Sequence, residues 1–147
     1  MSPSAKRFFS KKEQERITNA ILNAELDTSG EIRVHIESVC KGEVLDRASF
    51  LFKKLKMDKT ELRNGVLFYL AVQSHKFAII GDAGINAVVP PNFWDDIKAE
   101  MAAKFKENHF VEGLVHGITE AGKHLKKHFP HHVDDINELV DDISFGK

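Results

Sequence analysis

Two glycines bracket a carboxylate in Gly81-Asp82-Ala83-Gly84. Glycine in a tight turn lets backbone approach whatever the carboxylate holds. Other hard-oxygen donors are spread along the chain: Glu31, Asp58, Asn64, Asn86, Asp95 and Asp96, with Arg63 beside Asn64. Carboxylates and carboxamides from separate segments suit a hard cation, calcium or magnesium, when a fold gathers them. Carboxylates brought close repel one another unless a cation or proton relieves them. The spacing is not that of an EF-hand, because the required ligands do not follow Asp82-Ala83-Gly84. The same residues have a plainer reading. Asp82 caps a turn, Asp95 and Asp96 complement a helix dipole, and Arg63 pairs with one of the carboxylates. Both readings stay open on the residues alone.

Other chemistry is harder to place. Among the eight histidines, His124 and His128 stand one helical turn apart, a spacing able to chelate a transition metal. They lie among lysines near Pro130, so we read them as solvent-facing residues with adventitious metal affinity. His35 reads as a residue on the polar face of a strand, and His75 as part of a turn. The single cysteine, Cys40, excludes an intramolecular disulfide and reads as a buried structural thiol. The chain has no P-loop, G-x-G-x-x-G, G-x-S-x-G or C-x-x-C pattern. The residues name no reaction and no catalytic group.

The elements that must position these groups follow from periodicity. Met1 to Phe9 reads as a flexible arm. Ser10 and Glu13 fit a capping box, and Ile17, Ala20, Ile21 and Ala24 recur at helical spacing over Lys11 to Leu26. Glu31 to Val39 alternates, with Ile32, Val34 and Ile36 facing a core and Arg33, His35 and Glu37 on a more polar face. A second helical stripe covers Glu43 to Met57. Val66–Val72 and Phe77–Ile80 are apolar runs separated by a polar break of hairpin length. Their near-continuous apolar character predicts a sheet covered on both faces. Ile85 to Val89 is apolar but of unassigned type. Pro91 opens a helix over Asn92 to Glu107, and a glycine-containing helix runs from Val111 to His128, where Gly113, Gly117 and Gly122 permit close packing. Residues 131–147 form an acidic tail, read as either a weak helix or a mobile segment.

The order is thus α-β-α-β-β-α-α, an α/β chain predicted to form a three-layer α/β/α sandwich around a small mixed sheet. Residues 10–130 make the domain. A right-handed crossover makes the first two strands parallel, and the hairpin makes the third antiparallel. The starts of the first two strands and the end of the third therefore share one end of the sheet. That end gathers Glu31, Asp58, Arg63, Asn64, Asp82, Asn86, Asp95 and Asp96 as a candidate cation site, with Arg63 as a partner for phosphate or carboxylate.

The 147 residues suffice for one domain with a real core. A formal net charge of -1 argues against a general nucleic-acid binder. No apolar run approaches the roughly 20 residues that span a bilayer. MSPSAKRFFSKKEQE lacks the apolar region of a signal peptide. The expectation is a soluble cytoplasmic protein.

TSGEIRVHIES, RNGVLFYLAVQSHKFAIIGDAGIN and FKENHFVEGLVHGI together resemble the TPM-domain family, over Lys11 to Phe129. The resemblance implies an α/β/α sandwich and a divalent-cation site, usually calcium, at the acidic end of the sheet. The hairpin-exit loop of the family corresponds to Asp82-Ala83-Gly84-Ile85. Many relatives carry an aromatic residue at the position of Asp82 and an acidic residue nearer Pro90, so Pro90-Pro91 departs from the pattern. Phosphatase activity is attributed to some plant relatives, and many relatives have a signal peptide and membrane anchor, neither of which is expected from these residues. Two functions follow as expectations: a small soluble calcium- or magnesium-binding domain that serves as a non-enzymatic interaction or regulatory module, with another protein as a candidate partner, or a metal-dependent acid phosphatase acting on phosphomonoesters.

Overall fold

The computed structural model describes residues 5–131 and 142–146. Within the stretch read as an arm, Ala5–Phe8 makes one helical turn, α1, and Phe9 is buried in the core. α2, Lys11–Asp27, starts with the anticipated capping box. Ser10 Oγ accepts from the Glu13 amide at 3.1 Å, and Glu13 Oε1 accepts from the Ser10 amide at 2.9 Å. Two otherwise orphaned amides are satisfied reciprocally.

The remaining elements follow in order. They are β1, Glu31–Glu37; α3, Val44–Lys54; a short 3-10 turn, Met57–Lys59; β2, Gly65–Ala71; β3, Lys76–Gly81; α4, Ala83–Asn86; α5, Asp95–Lys106; α6, Phe110–Leu125; and β4, Ser144–Phe145. The sheet order is β3-β2-β1-β4. β1 runs parallel to β2 with Glu31 opposite Gly65, and β2 pairs antiparallel with β3 with Val66 opposite Gly81. β4 adds to the free edge of β1 in parallel, with Ser144 opposite His35. This strand is absent from the order read in the sequence. The helical reading of the tail falls largely on residues 132–141, outside the described residues.

Three layers result. Ile32, Val34, Ile36, Val66, Phe68 and Leu70 face α2, α5 and α6 in the main core. On the opposite face, Leu67, Tyr69 and Ala71 meet Ala48, Leu51 and Phe52 of α3 and Met57. β2 is thus buried on both faces, which is why its sequence is an unbroken apolar run. α6 lies against both α2 and α5. At Gly117 a side chain would collide with Met101 of α5, so the glycine permits that close approach. The layers are unequal: three long helices cover one face, while α3, packed chiefly on β3, and the short 3-10 turn cover the other. The β1–β4 side of that face is left as the wall of a groove.

Candidate functional site

Backbone pairing builds the acidic corner. The Glu31 amide donates to the Asn64 carbonyl at 3.1 Å, the Asp82 amide to the Gly65 carbonyl at 3.0 Å, and the Gly84 amide to the Arg63 carbonyl at 2.8 Å. These bonds bring Glu31, Arg63, Asn64, Asp82 and Gly84 together where β1 and β2 start and β3 ends. Gly84 is required there, because a Cβ would overlap the Leu62 and Arg63 carbonyl oxygens. Arg63 itself adopts a left-handed backbone, φ 51°, which a non-glycine residue tolerates at some strain.

Arg63 Nε donates to Asp82 Oδ2 at 2.7 Å and Nη2 to Oδ1 at 2.8 Å, a bidentate fork. Asp82 Oδ1 also accepts from the Ala83 amide at 2.7 Å and so caps α4. The Asp82 side chain is 5% exposed and that of Arg63 49% exposed. A buried carboxylate is therefore balanced by a guanidinium standing half in water. Asn86 donates from Nδ2 to the Gly81 carbonyl at 3.0 Å, which leaves its Oδ1 as the acceptor face of the amide. Asp58, in the 3-10 turn, contributes negative potential at Arg63. Asp95 and Asp96 open α5. Asp96 lines a separate hollow of about 510 Å³ with Pro90, Phe93, Glu120, His124 and His128. There the Phe93 ring lies 5.9 and 6.0 Å from the rings of His124 and His128, and Glu120 is 3.7 Å from His124. Among the described residues, no three His, Cys, Asp or Glu side chains gather as a metal-holding group. A cation at the corner would take Asp82 as its carboxylate and draw further oxygens from Asn86, backbone carbonyls and water.

The opposite end of β1 holds a polar centre that the sequence did not announce. Glu37 is 2% and His35 4% exposed, although both were read on a polar strand face. Arg47 Nε donates to Glu37 Oε2 at 2.9 Å and Nη2 to Oε1 at 2.8 Å. The Tyr69 hydroxyl also donates to Oε2, and His35 Nε2 lies 3.3 Å from Oε1. His35 Nδ1 lies 2.9 Å from Ser144 Oγ, and its ring stacks on Tyr69 at 6.1 Å. Burial pushes the Glu37 carboxyl up, but the bonds from Arg47, His35 and Tyr69 and the Arg47 charge outweigh it. They hold Glu37 far below the ordinary carboxylate range. Burial and the bond to Glu37 push the Tyr69 phenol well above its ordinary value. Both Glu37 oxygens are saturated with donors, so the carboxylate anchors its neighbours rather than acting as a base. The available signal was β2: a strand covered on both faces obliges its parallel neighbour to bury Glu37 as well, and a buried carboxylate needs partners.

A mixed four-stranded sheet between unequal helical layers, with polar corners at both ends of its first strand, is an open α/β/α sandwich. The sequence profile of the TPM domain matches residues 4–124, and the chain belongs to that family. The structure is similar to the NMR structure of the BA42 protein from the psychrophilic bacterium Bizionia argentinensis. The two share 49% identity and a TM-score of 0.88, covering 93% of this chain and 94% of that one. The N-terminal domain of a P. gingivalis protein shares the fold at 17% identity and TM-score 0.69, covering 84% of this chain and 82% of the other. The N-terminal domain of the cg2496 protein from Corynebacterium glutamicum does so at 13% and 0.64, with 78% and 72% covered. No curated protein matches the chain. No helix among the described residues is long and apolar enough to cross a membrane.

Proposed function

We propose that the chain is a non-enzymatic divalent-cation-binding module, acting in interaction or regulation, with Asp82 as its anchoring ligand and Arg63 as a built-in competitor. The supporting observation is the asymmetry of that pair, in which the carboxylate is 5% and the guanidinium 49% exposed. The half-exposed guanidinium can swing into solvent and be rehydrated, provided that an incoming cation takes over the charge of the buried carboxylate. Calcium or magnesium would then meet a pre-placed carboxylate, the Asn86 carboxamide and nearby carbonyls. The test is a titration of metal-free protein with each ion, followed by backbone amide NMR. Shifts are expected at Gly30–Glu31, Arg63–Asn64 and Asp82–Asn86, and none in Asp82→Asn. Arg63→Gln removes the competitor, so binding should tighten several-fold. A generic phosphate ester should show no turnover with metal present. Unmoved corner amides at millimolar cation, in both the native chain and Arg63→Gln, would end this reading.

A further inference from the structure

The groove between α3 and β4 has a volume of about 660 Å³, within the range of small-molecule sites. Its floor is the saturated His35–Glu37–Arg47 centre. Its walls combine Val39, Leu51 and Leu55 with Phe145. Lys41 and Lys54 stand at its rim, so among the described residues three cations line it against one carboxylate, that of Glu37. Arg47 is committed to Glu37 through Nε and Nη2. Lys41 and Lys54 are different. Both are exposed, and among the described residues neither forms an ion pair with a carboxylate. Apolar surface also continues outward. Val39 is 47% and Phe50 55% exposed, with Arg47 and Lys54 each within 6 Å of the Phe50 ring centre, at 5.6 and 5.9 Å.

An apolar cavity lined by lysines that no described carboxylate pairs with selects a ligand with the complementary pattern. We propose that this groove binds an amphiphilic carboxylate, its head group between Lys41 and Lys54 and its apolar body against Val39, Leu51, Leu55 and Phe145. The carboxylate is favoured over a dianionic head because the lysines are two separated point charges. The guanidinium fork that would clasp a phosphate is already closed on Glu37. The geometry that leaves the groove open is the smaller helical layer. α3 sits over β2 and β3, and β4 rises on the far side of β1. The groove lies about 20 Å along β1 from the Asp82 corner, so this inference does not depend on cation binding there.

The test uses the full chain and decanoate as the probe, with decyltrimethylammonium and acetate as comparisons, followed by amide NMR. Decanoate should shift Val39, Lys41, Leu51, Lys54 and Phe145 saturably, while acetate and decyltrimethylammonium should not. The double substitution Lys41→Glu with Lys54→Glu, both at exposed positions, should raise the decanoate Kd by about tenfold or more. Asp82→Asn should leave it unchanged. Equal binding of the cationic amphiphile, shifts scattered over the surface, or a Kd untouched by the double substitution would each overturn the proposal. An unfolded double variant is recognised by its collapsed amide dispersion. Lys41→Gln with Lys54→Gln, which removes the charges without reversing them, then decides: an unchanged Kd overturns the proposal.

Discussion

At the residue scale, the strongest commitments are at Glu37. Four donors meet its two oxygens in a buried setting. Tyr69→Phe deletes one donor to a buried charge and should cost about 1.5–3 kcal/mol in urea unfolding. The pH dependence has a definite sign. The folded carboxyl is depressed below its unfolded value, so its stabilisation is fully present above the unfolded pKa of about 4.3. It is lost as pH falls from there toward the folded value. Acid unfolding monitored by near-ultraviolet circular dichroism should therefore begin below about pH 4, and the Glu37→Gln variant should show a flatter acid limb. The Arg63–Asp82 pair has a different character, since its cation stands half in water. Its loss leaves the buried Asp82 carboxylate without its cation, so Arg63→Gln should lower stability as well as raise cation affinity.

At the scale of elements, much was legible in the sequence. The capping box fixed the start of α2, apolar alternation gave β1, and the pair of runs around Gln73–Lys76 gave the β2–β3 hairpin. The end of the sheet shared by Glu31, Arg63, Asn64 and Asp82 followed from strand direction alone. β4 did not follow, because two residues of an acidic tail carry no period. They become a strand by pairing with the open edge of β1. The polar centre was missed for a related reason. Alternation in β1 looks the same whether its polar side meets water or is paired and buried, and only the covering of β2 separates the two. Ser10→Ala removes one half of the α2 cap and should cost about 1 kcal/mol by thermal unfolding. Gly117→Leu forces a branched side chain into Met101 and should separate α6 from α5. The loss of about 1–3 kcal/mol typical of overpacking should appear as a lowered urea midpoint.

At the scale of the whole molecule, a ligand bound at either proposed site would add its binding free energy to the stability of the common fold. A cation present at one hundredfold its Kd should raise the unfolding free energy by about 2.7 kcal/mol. That corresponds to roughly 5–10 °C for a domain of this size, and differential scanning calorimetry with and without calcium measures it directly. The increment should vanish in Asp82→Asn.

The placement of β4 also says something about the order in which the sheet is completed. His35 and Ser144 touch across 109 positions of sequence, whereas β2 and β3 are joined by one short turn. A chain made from its N-terminus therefore has β1, β2 and β3 available long before the residues that close the edge of β1 exist. Until they emerge, the buried carboxylate has its Arg47 and Tyr69 partners, but its His35 lacks Ser144. Pairing β4 with β1 is thus the closure of a long loop onto the edge of the sheet, unlike the local turn that joins β2 to β3.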